Sequence, residues 1–447
     1  MNAQPGQPIP GLPLPERLTV LPRLRADALG TFEFLRRRHG PIFRMHLGGG
    51  PVVLINHPAW VEEVLFQRAA DVKKDEIVQS LRLVIGDGLL TSEGDTWRSH
   101  RRRIAPSFQR GALEGYAATM VAHTKDAAAL HRPGECGDVH NDLMTLTLRI
   151  VVSCLFGTDA DLSGAGIDQA LDQFMHRFVV ELRTWRRVAP TALLWLGRRP
   201  YRRAMATFDL SFSTIIAAHR ARGADGDDLL SRLLAARDED GSGFTDQELR
   251  DELLTLLVAG HETTALALTY ALAMLSRAPD DQARARAEID AVLGDRDPTA
   301  ADLPNLPFLR AVVSETLRLY PPAWGTGREV VNPFKLGPWQ LQAGDQATVL
   351  PWLLHRDPRL WEDALIFKPE RWLDGLEKRL PKGQYFPFGL GPRACVGNHF
   401  AMMEMVIVLA VLLRRWRVLP GGPLPKLLAA VTLRPLGPVA IRWEPAR

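Results

Sequence analysis

Cysteine is scarce in this chain. Cys136, Cys154 and Cys395 are the only three in 447 residues, too few for a disulfide framework and in keeping with a reducing compartment. Neither sign of charge dominates: 55 basic residues stand against 51 acidic ones, a net +4, so nothing in the balance calls for a nucleic-acid partner. Long hydrophobic runs are missing as well. The longest, residues 405–413, falls far short of the roughly 20 residues a membrane span needs. Internal repeats and low-complexity blocks are absent, and residues 1–22 carry six prolines with no apolar segment of the signal-peptide kind. That stretch reads as an extended, proline-rich arm over residues 1–21, and the whole as a cytoplasmic protein without a membrane span. What the chain does have is 46% hydrophobic and 24% charged residues, ample for a large core.

The patterning is mainly α with a smaller β-rich part. PVVLIN at 51–56 reads as a strand, and His57-Pro58 opens a helical pattern through Trp60, Val64 and Leu65. From Trp97 onward long helical stretches alternate with short polar breaks. The loops at 221–228 and 238–243 are too short for domain linkers, and residues 328–350 and 431–443 read as strands and turns. Two helices can be placed closely. Thr245 with Glu248 forms a capping box ahead of Leu249, Leu253, Leu256 and Leu257. Nothing breaks that helix before Pro279, so it spans about 30 residues and roughly 45–50 Å. The second runs from Pro307 to the Pro321-Pro322 pair.

The strongest chemical signal is FGLGPRACVG at 388–397. Cys395 follows a glycine-rich turn and directly precedes an apolar helical run, 401–413. Backbone N–H groups and the helix dipole at such a position favour a thiolate. A lone thiolate without Cys or His neighbours suits haem iron better than zinc. The alternative is a buried structural cysteine beside a turn. On the long helix, Leu256, Gly260, Thr263 and Ala267 share one face. Small Gly260 and Ala267 would admit a flat group there, and Thr263 would add one hydroxyl to an apolar stripe. Equally, that hydroxyl could simply bond back to a carbonyl one turn earlier. Glu315 and Arg318 lie three residues apart, the spacing of a helix-surface ion pair. Trp97, Arg98, His100, Arg101, Arg102 and Arg103 form a basic cluster on a helix.

Phe388, Gly389, Gly391, Arg393, Cys395 and Gly397 match the F-G-x-G-x-R-x-C-x-G haem loop, and the sequence resembles the cytochrome P450 family. Ala259-Gly260-His261-Glu262-Thr263 is similar to that family's oxygen-activation motif. Glu315-x-x-Arg318 resembles its E-x-x-R motif, with Pro369-Glu370-Arg371-Trp372 downstream, and Trp97-x-x-x-Arg101 resembles its W-x-x-x-R pattern. The resemblance runs from about Pro22 to the C-terminus. It implies one haem domain over 22–447, a helical bundle around haem b with a smaller β-rich region.

By the same resemblance Cys395 is the iron ligand, Phe388 shields its sulfur, and Gly389, Gly397 and Gly260 give the ring room. Arg393, Trp97, Arg101, Arg328 and, more loosely, His100 hold the haem propionates. Thr263 and Glu262 are the catalytic pair that manages dioxygen and protons, and Glu315, Arg318 and Arg371 form a structural network. The pocket is expected to include Leu256, Ala259, Thr263, Ala267, Ala323 and Trp324, with the segments 77–90 and 323–326. These residues are largely apolar, so the expected reaction is O2-dependent hydroxylation of a hydrophobic small molecule such as a terpenoid, fatty acid or polyketide. With only a short stretch after the haem-loop helix, no reductase domain is expected to follow. A separate ferredoxin- or flavodoxin-type donor with its reductase would supply electrons, docking on the arginines near Trp97, to a protein expected to be a bacterial-type monomer. A peroxide-driven peroxygenase and a non-enzymatic haem sensor or carrier are the two other functions the same loop could serve.

Overall fold

The computed structural model describes residues 6–47, 50–157, 199–223 and 226–446. Its principal helices are α1 (Leu14–Ala26), α2 (Ala28–His39), α3 (Glu76–Ile85), α4 (Gly94–Ile104), α5 (Arg110–Leu130), α6 (Val139–Phe156), α7 (Arg199–Arg222), α8 (Leu229–Ala235), α9 (Asp246–Leu275), α10 (Pro279–Leu293), α11 (Pro307–Leu319) and α12 (Asn398–Arg415). The labelled strands are β1 (Ile42–His46), β2 (Pro51–Ile55), β3 (Val72–Lys74), β4 (Cys136–Asp138), β5 (Thr326–Val330), β6 (Gln346–Val349), β7 (Trp416–Pro420), β8 (Leu427–Ala429), β9 (Leu433–Pro435) and β10 (Ala440–Pro445).

Helix α9 organises the bundle. It has 30 residues, and Thr245 caps it with Glu248 answering, the reciprocal box its sequence spelled out. Twenty-two of its residues are buried, because helices pack on several of its sides at once. Its inner half shares a core with residues of α5, α6, α10, α11 and α12, among them Leu146, Ile150, Leu268, Leu272, Val312 and Leu409. Its first half packs with α3, α7 and α8 through Leu81, Phe208, Phe212, Leu230 and Leu253. Both α6 and α9 are long and apolar enough to cross a membrane, and both lie largely buried inside this bundle.

The β-rich part flanks the bundle. A five-stranded sheet runs in the order β1-β2-β6-β5-β3, with β2 and β6 parallel and the other neighbours antiparallel. Strand β10 pairs with both β7 and β4, and β8 and β9 form a hairpin.

The N-terminal segment departs from the expected extended arm. Residues 1–5 lie outside the described ones, Gln7–Pro8 pairs with Trp339 and Gln340, and the chain is helical from Leu14. Pro15 falls in the first turn of α1, where a missing N–H costs nothing. Pro22 lies inside the helix. Burial of Leu12 and Val20 against Leu29, Phe32 and Leu35 offsets the bond lost there. In the 221–228 loop, α7 continues to Arg222 and residues 224–225 lie outside the described ones.

Glu315 and Arg318 on α11 are fully buried, not a surface pair. Both guanidinium ends of Arg318 reach the Glu315 carboxylate at 2.8 and 2.9 Å. That carboxylate also accepts from Arg371 Nε at 3.1 Å, the Lys368 N–H at 2.9 Å and the Trp372 indole at 2.9 Å. Arg318 further donates to the carbonyls of His355 and Ala364 at 2.7 Å. One carboxylate thus ties α11 to the 355–372 segment. Glu315→Ala would strand a buried guanidinium, a loss of ~3–5 kcal/mol for a broken buried pair. The urea midpoint checks this, and a change below about 1 kcal/mol would mean that water enters the network.

Candidate active site

The loop before α12 is built by two left-handed glycines and two short bonds. Gly389 and Gly391 have φ of 75° and 76°. The Gly389 N–H donates to the Phe386 carbonyl at 3.0 Å and the Cys395 N–H to the Phe388 carbonyl at 2.8 Å. A side chain at Gly391 would sit 2.1 Å from the Leu65 carbonyl oxygen. That glycine therefore seats the loop on its protein neighbour and not on a ring. Phe388 packs against the large core cluster from beside the loop. Gly397 caps α12, and its N–H donates to the Cys395 sulfur.

The sulfur is both accessible and enclosed. Cys395 is exposed to solvent-sized contact, yet protein surrounds it closely enough that desolvation pushes its thiol up, against the pull of the Gly397 N–H and the Arg101 charge. Both observations hold because it lines an internal void. The long helix is also uncovered at one place. From Asp251 to Leu275 every residue of α9 is buried except Val258, Ala259, Gly260 and Thr263. Ala323, between buried Pro322 and half-buried Trp324, is exposed in the same way. The Thr263 hydroxyl donates to the Ala259 carbonyl at 2.7 Å.

Cations collect on one side of the sulfur. Arg393 stacks on the Trp97 ring at 3.9 Å, donates to the Ser92 carbonyl at 2.8 Å and pairs with Glu93. Arg328 on β5 is buried, and among the described residues its guanidinium bonds to the Gly327 and Thr326 oxygens. Half-buried Arg101 has no carboxylate partner among the described residues, and its attractive neighbour is Cys395. Lys74, which sequence reasoning missed, is buried beside Arg328 and Arg393; desolvation and then those two charges push it down to about 7. Three cations, Lys74, Arg328 and Arg393, share two carboxylates, Asp75 and Glu93, and Arg101 beside the sulfur adds a fourth positive charge. A dianion is what this surplus lacks, and the two carboxylates of an iron porphyrin have that charge. The residues present therefore fit the group.

A mainly helical chain with an accessible thiol in a glycine-built loop, an arginine beside the sulfur and further cations gathered at Arg393 of the same loop is a haem-thiolate oxidoreductase in class. The cytochrome P450 profile matches residues 8–439. Cyclooctatin synthase of Streptomyces melanosporofaciens is 35% identical over 418 residues, 92% of this chain and 89% of that one. Cyclooctat-9-en-7-ol 5-monooxygenase of the same organism is 35% identical over 391 residues, 86% and 83% of the two chains. Pentalenene oxygenase of Streptomyces avermitilis is 32% identical over 384 residues, 85% and 84%. The chain belongs to the cytochrome P450 family, and it is a monooxygenase that acts on a hydrophobic molecule with O2, haem iron and electrons from a redox partner.

Several sequence-based placements change. His100 is buried and faces away from the cation cluster: its Nδ1 donates to Glu252 at 2.6 Å and its Nε2 approaches Glu248 at 3.3 Å. Two carboxylates on α9 claim the ring, so it is no propionate donor. Ala267 is sealed in the core at 2% exposure, and Leu256 is buried among Leu81, Ile85 and Leu253. Neither is an open pocket wall. A side chain at Gly260 would meet Val151 at 3.3 Å, so this glycine admits helix α6. Trp324 donates to the Ala430 carbonyl at 2.8 Å and packs on Phe32. The arginines expected to dock a donor are already engaged: Arg98 with Asp95, Arg102 with Asp238 and Glu239, and buried Arg103 over Phe244. Glu262 is buried, bonded to Thr432 and Arg434, and the structure does not bring it into the void.

The His100 cluster carries a pH dependence. Burial alone would lower the imidazole, but bonds and charge from Glu252 and then Glu248 outweigh it and raise it. A raised folded value means the contribution to stability is complete below about pH 6.5 and fades as pH climbs through that value. The stability gap between wild type and His100→Gln, from denaturant midpoints, is therefore expected to be larger near pH 6 than near pH 9. An equal gap at both would show that the ring is held neutral.

Proposed function

We propose that this monooxygenase hydroxylates a terpenoid, and that its haem is haem b held by Cys395. The observation that carries the substrate class is the character of the accessible positions expected at the pocket: Ala259, Ala323 and Thr263 are small and uncharged, which suits a hydrocarbon better than a carboxylate. The relatives named for cyclooctatin, cyclooctat-9-en-7-ol and pentalenene support the same class.

Haem, when bound, supplies oxygen binding and the oxidising chemistry. The protein's residues arrange the rest. The Gly397 N–H and Arg101 favour negative charge on the Cys395 sulfur, and an apposed metal cation would complete that stabilisation. Arg393, Arg101, Arg328, Lys74 and the Trp97 indole would hold the two propionates as hydrogen-bond donors, four of them charged. Buried walls of α6 and α9 exclude water. Thr263 holds a proton at Oγ1, free to turn from the Ala259 carbonyl toward the void. Glu262 is the acid that replenishes it. Electrons come from a separate ferredoxin- or flavodoxin-type protein, and the enzyme acts as a cytoplasmic monomer.

The deciding experiment is a type I spectral titration of the holoenzyme with matched panels. Cyclic terpenoid alcohols are expected to give the larger shifts at lower concentration than fatty acids of equal carbon number. The reverse order would overturn the terpenoid assignment. Cys395→Ser is expected to abolish the red-shifted Soret band of the reduced carbon monoxide complex, and a retained band would place the ligand elsewhere.

Lys74 adds a third test. A propionate beside it would restore its proton, while Cys395 would lose one on meeting the metal, so the informative quantity is the haem affinity of wild type divided by that of Lys74→Met, in which the thiol proton cancels. That ratio should be independent of pH below about 7 and should fall above it, approaching tenfold per unit for one linked proton. A ratio that stays flat across the range would assign the proton to another group.

A further inference from the structure

Glu262 occupies the acid position of the oxygen-activation motif, yet it is 2% exposed. Its neighbour Thr263 opens to the void. Consecutive residues of an α-helix point about 100° apart, so the two side chains serve different sides of α9. The carboxylate is held there from the C-terminal hairpin. Thr432 Oγ1 donates to Glu262 Oε1 at 2.8 Å, and Arg434 Nε donates to the same oxygen. Arg434 also lies 3.3 Å from Thr432 Oγ1, which joins the three groups.

The other groups around Glu262 do not compete for it. His140 on α6 is lowered by burial and lies 3.3 Å from the Thr269 hydroxyl. His261 is pushed down to about 4 by burial and faces the Met144 carbonyl at 3.0 Å. The Tyr270 hydroxyl, also near this charge, donates to the Leu433 carbonyl at 2.9 Å. Both imidazoles are thus neutral near pH 7, and Arg434 is the cation that faces the carboxylate among the described residues.

The same hairpin is fastened to the substrate side. The Leu433 N–H donates to the Pro322 carbonyl at 2.9 Å, and the Ala430 carbonyl accepts the Trp324 indole at 2.8 Å. Pro322 and Trp324 flank Ala323, an exposed residue that the sequence assigns to the pocket. The segment 430–434 therefore links the 322–324 turn to the acid through four hydrogen bonds.

We propose that Arg434 is a positioning residue that, with Thr432, latches Glu262 away from the Thr263 side of α9, and that displacement of the β8–β9 hairpin by a bound substrate releases it. Proton supply is then tied to occupancy of the pocket. This rests on the reading of Glu262 as the proton-supplying acid given above.

The test uses purified holoenzyme with a ferredoxin and its reductase, in the absence of substrate. Under these conditions NADPH, a proton and O2 go to NADP+ and H2O2, and the latch should keep this leak slow. Arg434→Met is expected to raise substrate-free NADPH oxidation several-fold and to make it climb more steeply as pH falls. Arg434→Lys, which keeps a donor and a charge, should restore slow turnover, and Thr432→Val should give a smaller rise. Adding Glu262→Gln to Arg434→Met should abolish the rise.

Amide hydrogen exchange provides a readout that is independent of turnover: protection over 427–435 should fall in Arg434→Met and recover in Arg434→Lys. An unchanged leak in Arg434→Met, or a rise that survives Glu262→Gln, would overturn the latch. The underlying reading fails separately, if Glu262→Gln alone leaves substrate turnover and its pH profile as in wild type.

Discussion

A thiol enclosed by protein resists ionisation, and this site is arranged around that resistance. Desolvation raises Cys395, while one backbone N–H and one guanidinium pull the other way without prevailing. The sulfur becomes a good anion only when a cation faces it across the void. Its geometry is fixed beforehand by two left-handed glycines, by the bond closing the loop at Phe388 and by the start of α12. The Glu315–Arg318 pair is the counterpart of that arrangement in the scaffold. It satisfies buried carbonyls over 355–366 that no regular element would serve.

The long helix sets what can happen opposite the sulfur. A helix buried on nearly all sides cannot bend toward a ligand, so its contribution is local: a few positions without bulk, and one hydroxyl. Gly260 shows how such positions serve two ends. Its missing side chain brings α6 close, and that approach seals the wall beside accessible Ala259. Core packing and pocket shape are here the same constraint.

The parts of the sequence that report local structure were legible. The capping box of α9, the proline start of α11 and the thiol ahead of α12 are set by neighbours within a few residues, and the structure has them where the pattern put them. What stayed hidden depends on distant partners. His100 looks like a cofactor donor until Glu248 and Glu252 arrive from 148 and 152 residues away. Lys74 sits in a short strand with nothing nearby in sequence to mark it, and its meaning comes from Arg328 and Arg393. Ala267 and Leu256 have the periodicity of the pocket face, but a stripe on a helix buried all round does not reveal which part meets a void. Pro15 and Pro22 suggested an extended arm because proline statistics are local, whereas α1 is held by the cluster under Val20.

Charge placement connects these points. An apolar pocket lined by small residues cannot afford a solvated carboxylate at its edge, since an ionised group would draw water toward the reacting face. An acid within one residue of Thr263 must therefore have another partner while the pocket waits. Among the described residues the bundle offers no cation nearby, because the imidazoles of His140 and His261 are kept neutral by burial. The partner comes from the β-rich part, on a hairpin that is also bonded to Pro322 and Trp324. Helices thus carry the rigid walls, and the β8–β9 hairpin supplies the partners of the buried acid.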